Sequence, residues 1–259
     1  VSVTDAYGVE TVLQISEIKG LKKITGKTRS GGCSNCSEGI KQTLYDDVTG
    51  YPIERTYFSG KVEEYLDYDE NFNPRTINIY EEDGTGQRTL IRTIEKTYHP
   101  VLFTPLTIKE KSLLSDGTFP DREKETIFNY SDTGGTLTNQ IQSRIDKGFT
   151  LDASGAVIPY EYTTQYSYNT KGQIETIDGP LTSGDTMTMG YDPDTGNLMT
   201  ISVPLSDTLN GTTSFSYDAA GNITSVTDMN GVITNYTYDG RNRLLTSETN
   251  DNVSERTHN

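Results

Sequence analysis

"SYDAAGNITSVTDMNGVITNYTYDGRNRLLTS", residues 216–247, contains its own copy: Tyr217-Asp218 returns 21 residues later as Tyr238-Asp239, each time followed by a small polar segment and an aliphatic position. The same opening stands upstream in "YDPDTGNLMTI" from Tyr191, "YNTKGQIETID" from Tyr168, "YDENFNPRTINI" from Tyr68 and "YDDVTGYPIERT" from Tyr45. A weaker copy, "NYSDTGGTLTN", surrounds Tyr130, and the pattern blurs between it and Tyr68 over "EEDGTGQRTLIRTIEKTY". Steps of 21, 23 and 26 residues are too regular for chance and too uneven for a coiled coil or collagen, so the chain is a tandem array.

The repeat unit reads as a β-hairpin. In "TSFSYD", Thr213, Phe215 and Tyr217 share one side and Ser214 and Ser216 the other; "TNYTYD" places Thr234, Tyr236 and Tyr238 against Asn235 and Thr237. This period of two is that of a half-buried strand. Asp218 can accept hydrogen bonds from backbone amides just ahead of it, and Gly221 can take a left-handed conformation, so "DAAGN" reverses the chain; Gly172 and Gly196 stand at matching places. The return strand begins at Ile223, and its next aliphatic residue, Val226, is three positions on, which breaks strict alternation and calls for a bulge or a change of side. Asn230-Gly231 and Asn210-Gly211 read as further tight reversals.

This pattern resembles the RHS, or YD, repeat family over roughly residues 44–249, most specifically in the two copies quoted first. That family includes shell components of Tc toxins, polymorphic Rhs toxins, bacterial wall-associated proteins and teneurins. The resemblance implies an all-β fold of hairpins forming part of a spiralling, hollow, shell-like sheet. It further implies a non-catalytic shell segment of a larger, secreted or cell-surface bacterial protein, with the remaining repeats and a C-terminal toxin or effector cargo as partners. The alternative is an extracellular binding module whose β-surface recognises a glycan or a partner protein.

Composition agrees with a thin sheet. With Gly counted in and Tyr counted out, apolar residues make up about 34% of the chain against about 45–50% in ordinary globular domains. A curved sheet with a wet face needs fewer core formers than a solid globule, and 17 Tyr serve it as amphipathic filler. The expected division is residues 1–43 as N-terminal strands with a Gly/Ser/Cys loop, and 44–259 as the hairpin array. Val1 at the start and the lack of a polar terminal cap suggest a piece of a longer protein.

A net charge of −15 argues against nucleic acid, where affinity rests on Lys and Arg neutralising phosphates, and no apolar run approaches the length of a membrane-spanning helix. The two cysteines, Cys33 and Cys36, sit in "SGGCSNCSEG". A Cys-x-x-Cys pair suits a small disulfide or inert thiols, a metal shared with residues elsewhere, or a redox couple. Similar pairs precede the repeats in some bacterial members of the resembled family. "DYDENFN" and "DPDTGN" offer oxygens in the manner of a calcium loop but lack its distal Glu, and both read as repeat turns. His99 and His258 are isolated from any nucleophile, and Glu63-Glu64 and Glu81-Glu82-Asp83 read as solvated charge on opposite strand faces. No catalytic residue, metal or cofactor is therefore expected. The candidate residues are the repeat anchors Tyr45, Tyr68, Tyr130, Tyr168, Tyr191, Tyr217 and Tyr238 with their turn glycines.

Overall fold

A computed structural model gives the structure, which describes residues 1–4, 10–30, 39–112, 123–133, 136–206, 209–250 and 255–258. All regular structure among these is β, and no helix is long and apolar enough to cross a membrane. The chain divides into two compact units, Val1–Phe128 with Asp146–Glu161, and Asn129–Ile145 with Tyr162–Asn259.

The first unit begins with β1 (Ser2–Thr4), β2 (Glu10–Ile18), β3 (Leu21–Ser30), β4 (Ile40–Tyr45) and β5 (Pro52–Tyr57). It continues with β6 (Lys61–Tyr68), β7 (Pro74–Glu82), β8 (Arg88–Tyr98) and β9 (Pro105–Ser112). Each strand pairs antiparallel with the next, and β9 pairs with the first residues of β10 (Lys124–Thr133). β11 (Thr136–Leu151) and β12 (Val157–Tyr168), like β10, contribute residues to both units.

The second unit continues as β13 (Ile174–Asp178), β14 (Met187–Tyr191), β15 (Leu198–Ser206), β16 (Leu209–Tyr217), β17 (Ile223–Thr227), β18 (Ile233–Tyr238), β19 (Leu244–Asn250) and β20 (Glu255–His258). From β12 onward each strand again pairs antiparallel with its successor. The fold is thus an antiparallel sheet of consecutive hairpins, as the repeat pattern requires. The alternation read from "TNYTYD" is visible directly: from Ile233 to Tyr238, exposed and half-buried residues alternate without a break.

Burial is sparse. Among the described residues the buried apolar side chains are Val62, Tyr65 and Ile77, joined by the buried threonines Thr43, Thr56, Thr93 and Thr126, all in the first unit. Buried hydroxyls need partners: Thr93 donates to Asn78 Oδ1 at 2.9 Å and Thr126 to Asp146 Oδ1 at 2.8 Å. A sheet with so little fully buried apolar surface has to gain cohesion from pairing and from half-buried faces, which is where the low apolar content leads.

Two sequence readings need correction. Asn210-Gly211 is not a reversal; it lies inside β16, where Asn210 pairs with Pro204 and Gly211 with Val203. Gly211 is buried, and a Cβ there would meet Leu205 and Met229 side-chain atoms at 3.0–3.1 Å, so glycine here answers a close approach and not a turn. The acidic pair Glu63-Glu64 is not simply solvated. Glu63 accepts from Tyr57 and Tyr65 hydroxyls at 2.8 and 2.5 Å and from Lys61 at 2.9 Å, while Glu64 accepts from Asn78 and Tyr80 at 3.1 and 2.9 Å.

Candidate functional site

The recurrent feature of the molecule is the end of each Tyr-bearing strand. Tyr217, the last residue of β16, stands opposite Ile223, the first of β17, while Ser216 stands opposite Ser225. Thr224 is therefore an extra residue, and this bulge explains the step of three between Ile223 and Val226: both keep to the Tyr217 face. The same shift falls directly before Tyr45, Tyr98, Tyr168, Tyr191 and Tyr238.

The bulge delivers the phenol to a fixed target. Tyr217 donates its hydroxyl to the carbonyl of Leu198 at 2.8 Å, and Leu198 is the residue that stands opposite the preceding anchor, Tyr191. Tyr238 donates to Ile223 at 2.9 Å, opposite Tyr217, and Tyr191 to Ile174 at 2.8 Å, opposite Tyr168. In the first unit Tyr68 donates to Pro52, opposite Tyr45, and Tyr98 to Pro74, opposite Tyr68. Each of these five anchors thus clamps its hairpin onto the one before it.

Two anchors sit differently and one reaches a different kind of position. Tyr168 donates to Ile141, inside β11, at 2.9 Å. Tyr45 carries the Lys23 ammonium 4.6 Å from its ring centroid. Tyr130 lies within β10, three residues before that strand's last residue.

After each anchor comes an acceptor that caps the turn. Asp218 Oδ1 accepts from the backbone N–H of Ala220 and Asn222, both at 2.9 Å, and its Oδ2 from the Asn222 carboxamide at 2.9 Å; Gly221 then turns with φ +86°. Asp69, Asn169 and Asp239 repeat this arrangement, accepting from the second and fourth residues ahead. In the one-residue-longer turns, Asp46 and Asp192 accept from the second and third. The left-handed position is Gly172, Gly196 or Gly221 where glycine was expected, but Phe72 and Asn242 occupy it in their turns with φ +71° and +59°.

These bonds favour the ionised carboxylate. The Thr49 hydroxyl and amide hold Asp46 below the usual Asp value, Asn222 does so for Asp218, and the backbone of Thr195 and of Arg243 does so for Asp192 and Asp239.

One anchor escaped the sequence reading. Tyr98-His99 is a full copy in which imidazole replaces carboxylate: His99 Nδ1 accepts from the N–H of Val101 and Leu102 at 3.2 and 3.1 Å, and Phe103 takes the left-handed position with φ +55°. The signal was Tyr followed by a side chain able to accept at short range, wider than Tyr-Asp. Asp83, Asp152 and Asp228 cap further turns in the same way without a preceding Tyr; their common Asp-x-x-Gly spacing is legible in the sequence. Cys33 and Cys36 lie outside the described residues.

A model of the family described as "RHS Repeat" matches residues 191–228 and again 217–252, the stretch in which clamp and cap recur most regularly. Residues 191–252 carry RHS repeats. No curated protein sequence matches the chain. Among solved structures, the chain is similar to the crystal structure of TcdB2-TccC3, at 18% identity and a TM-score of 0.50, over 96% of this chain and 13% of that one. It also matches a Tc holotoxin pore of Photorhabdus luminescens at 13% identity and a TM-score of 0.46, over 98% of this chain and 14% of that one. At such identity the first likeness is one of fold, and the chain spans only about a seventh of the length of either structure.

Proposed function

We propose that this chain is a non-catalytic wall segment of an RHS-repeat shell that encloses a C-terminal toxin or effector of a longer, secreted or cell-surface bacterial protein. The observation that carries the reading is the clamp: in five repeats a tyrosine hydroxyl is bonded to the backbone of the preceding hairpin, which lets a sheet extend hairpin by hairpin without a second layer to pack against. Sparse burial supports a wall more than a solid domain. The similarity in fold to the TcdB2-TccC3 structure supports it too.

The side chains that recur along the array serve the backbone. The anchor hydroxyls and turn carboxylates are engaged in bonds within the sheet, which speaks for structure over catalysis and over the alternative of a tyrosine-lined glycan-binding surface. The test is protease accessibility of the parent protein. Its region after residue 259 should resist limited proteolysis when native and become cleavable when Tyr217 and Tyr238 are both replaced by Ala. A C-terminal region equally cleavable in both proteins would refute enclosure, and saturable glycan binding lost in the same variant would favour the binding module.

A further inference from the structure

The step from β3 to β4 is loose. Among the described residues these strands share one backbone pair, Gly26 with Gln42, whereas β2 and β3 pair at nine positions. Beside that step lies a cavity of about 190 Å³ lined in part by Ile24, Lys27, Lys41, Thr43, Tyr45 and Arg55. That is room for several waters or a small anion.

Its charge is opposite to that of the chain. Three cations line it in a protein with a net charge of −15, and neither Lys27 nor Lys41 has an ion pair among the described residues. Lys23, over the Tyr45 ring, adds a fourth positive charge nearby. Arg55 donates from one terminal nitrogen to the Tyr65 hydroxyl at 3.2 Å, yet its Nε is buried with no hydrogen-bond partner. Glu63 stands opposite Arg55 in register, but its carboxylate is occupied by Tyr57, Tyr65 and Lys61. A buried guanidinium N–H without an acceptor and like charges gathered in one recess are both unfavourable. An anion placed among them relieves both, and a guanidinium fork suits carboxylate or phosphate oxygens.

We propose that this cavity binds a small organic anion, a carboxylate or phosphate ester, with its charge on Arg55, Lys27 and Lys41 and its apolar part against Ile24 and Tyr45. Isothermal titration of the 259-residue chain with inorganic phosphate and with citrate, at constant ionic strength, tests it. Saturable binding at one site is expected, weakened about tenfold or more by Arg55→Met and by the double variant Lys27→Met/Lys41→Met, since each removes charge-assisted bonds. The lysine variant, at the rim, keeps the test valid if the arginine variant fails to fold. Heats that never saturate, or an affinity unchanged in the lysine variant, would overturn the site.

Discussion

The two units build the same hairpin from different materials. In the first, Val62, Tyr65 and Ile77 are buried and charges pair across strands, as in Arg88 with Glu54 at 2.7 Å and with Glu82 at 3.0 Å. In the second, no apolar side chain among the described residues is buried, and hydroxyls face one another across strands, Ser167 with Thr176 and Thr237 with Thr246 at 2.7 Å, a pairing the first unit also has in Thr97 with Thr107. Yet both keep the bulge, the tyrosine clamp and the capped turn. What persists when the packing changes is the part that satisfies the backbone, so the repeat is defined by where an acceptor and a phenol must stand and less by what fills the faces.

The comparison breaks first at an anchor. Tyr217→Ala removes a half-buried ring together with the clamp on Leu198, and a loss on the order of 3 kcal/mol in denaturant unfolding is expected; a loss below about 1 kcal/mol would mean the ring is peripheral. Next in size is a contrast between units. Val62→Ala, at a fully buried site, should cost about 2 kcal/mol, and Val226→Ala, at a half-buried one, about 1 kcal/mol or less. Equal costs would erase the distinction drawn between the units.

A smaller effect sharpens the account of the turn. His99→Ala should cost about 1 kcal/mol, as a lost cap does, whereas His99→Asp should be close to neutral because a carboxylate oxygen can replace Nδ1 as acceptor. A costly His99→Asp would show that the imidazole does something other than cap.

Acid gives the mildest probe. Hydroxyl and amide donors of Thr49, Thr85 and Ser154 hold Asp46, Asp83 and Asp152 below the ordinary value, as the Asn222 side chain and amide do for Asp218. A carboxylate depressed in the folded state stabilises above its unfolded value and loses that contribution as pH falls through the folded one. Unfolding midpoints should therefore be flat from neutrality down to about pH 4 and decline below it. Asp83 is exposed and Asp46, Asp152 and Asp218 are at most half-buried, so the decline should be shallow and further blunted by salt. A midpoint that rises on acidification below pH 4 would contradict the caps.

Much of this was legible in the sequence, and the misses have physical causes. Alternation through Tyr217 and Tyr238 and the three-step from Ile223 to Val226 were enough to place the strands and to mark the spot of a bulge or a change of side, because both are properties of consecutive residues; the choice between the two needed the register. His99 and Phe72 were passed over because a turn requires an acceptor and a left-handed residue, which Asp and Gly satisfy most often but not alone. Asn210-Gly211 misled for the converse reason: the glycine there makes room for Leu205 and Met229, neighbours that sequence order does not reveal. The target of each tyrosine hydroxyl was also hidden, since Tyr217 and Leu198 are 19 residues apart and meet only through the register of two hairpins. The cation cluster around Arg55 is equally non-local, drawn from three strands.

The central claim is that the phenol hydroxyl, beyond the ring, holds successive hairpins together. Tyr→Phe substitution isolates it, made singly at Tyr191, Tyr217 and Tyr238 and then at all three, with unfolding followed in urea. Each hydroxyl should be worth about 1 kcal/mol, and the triple variant should lose roughly the sum with circular dichroism still that of a β-sheet. A triple Tyr→Phe variant as stable as the parent would contradict the clamp and leave the rings as filler.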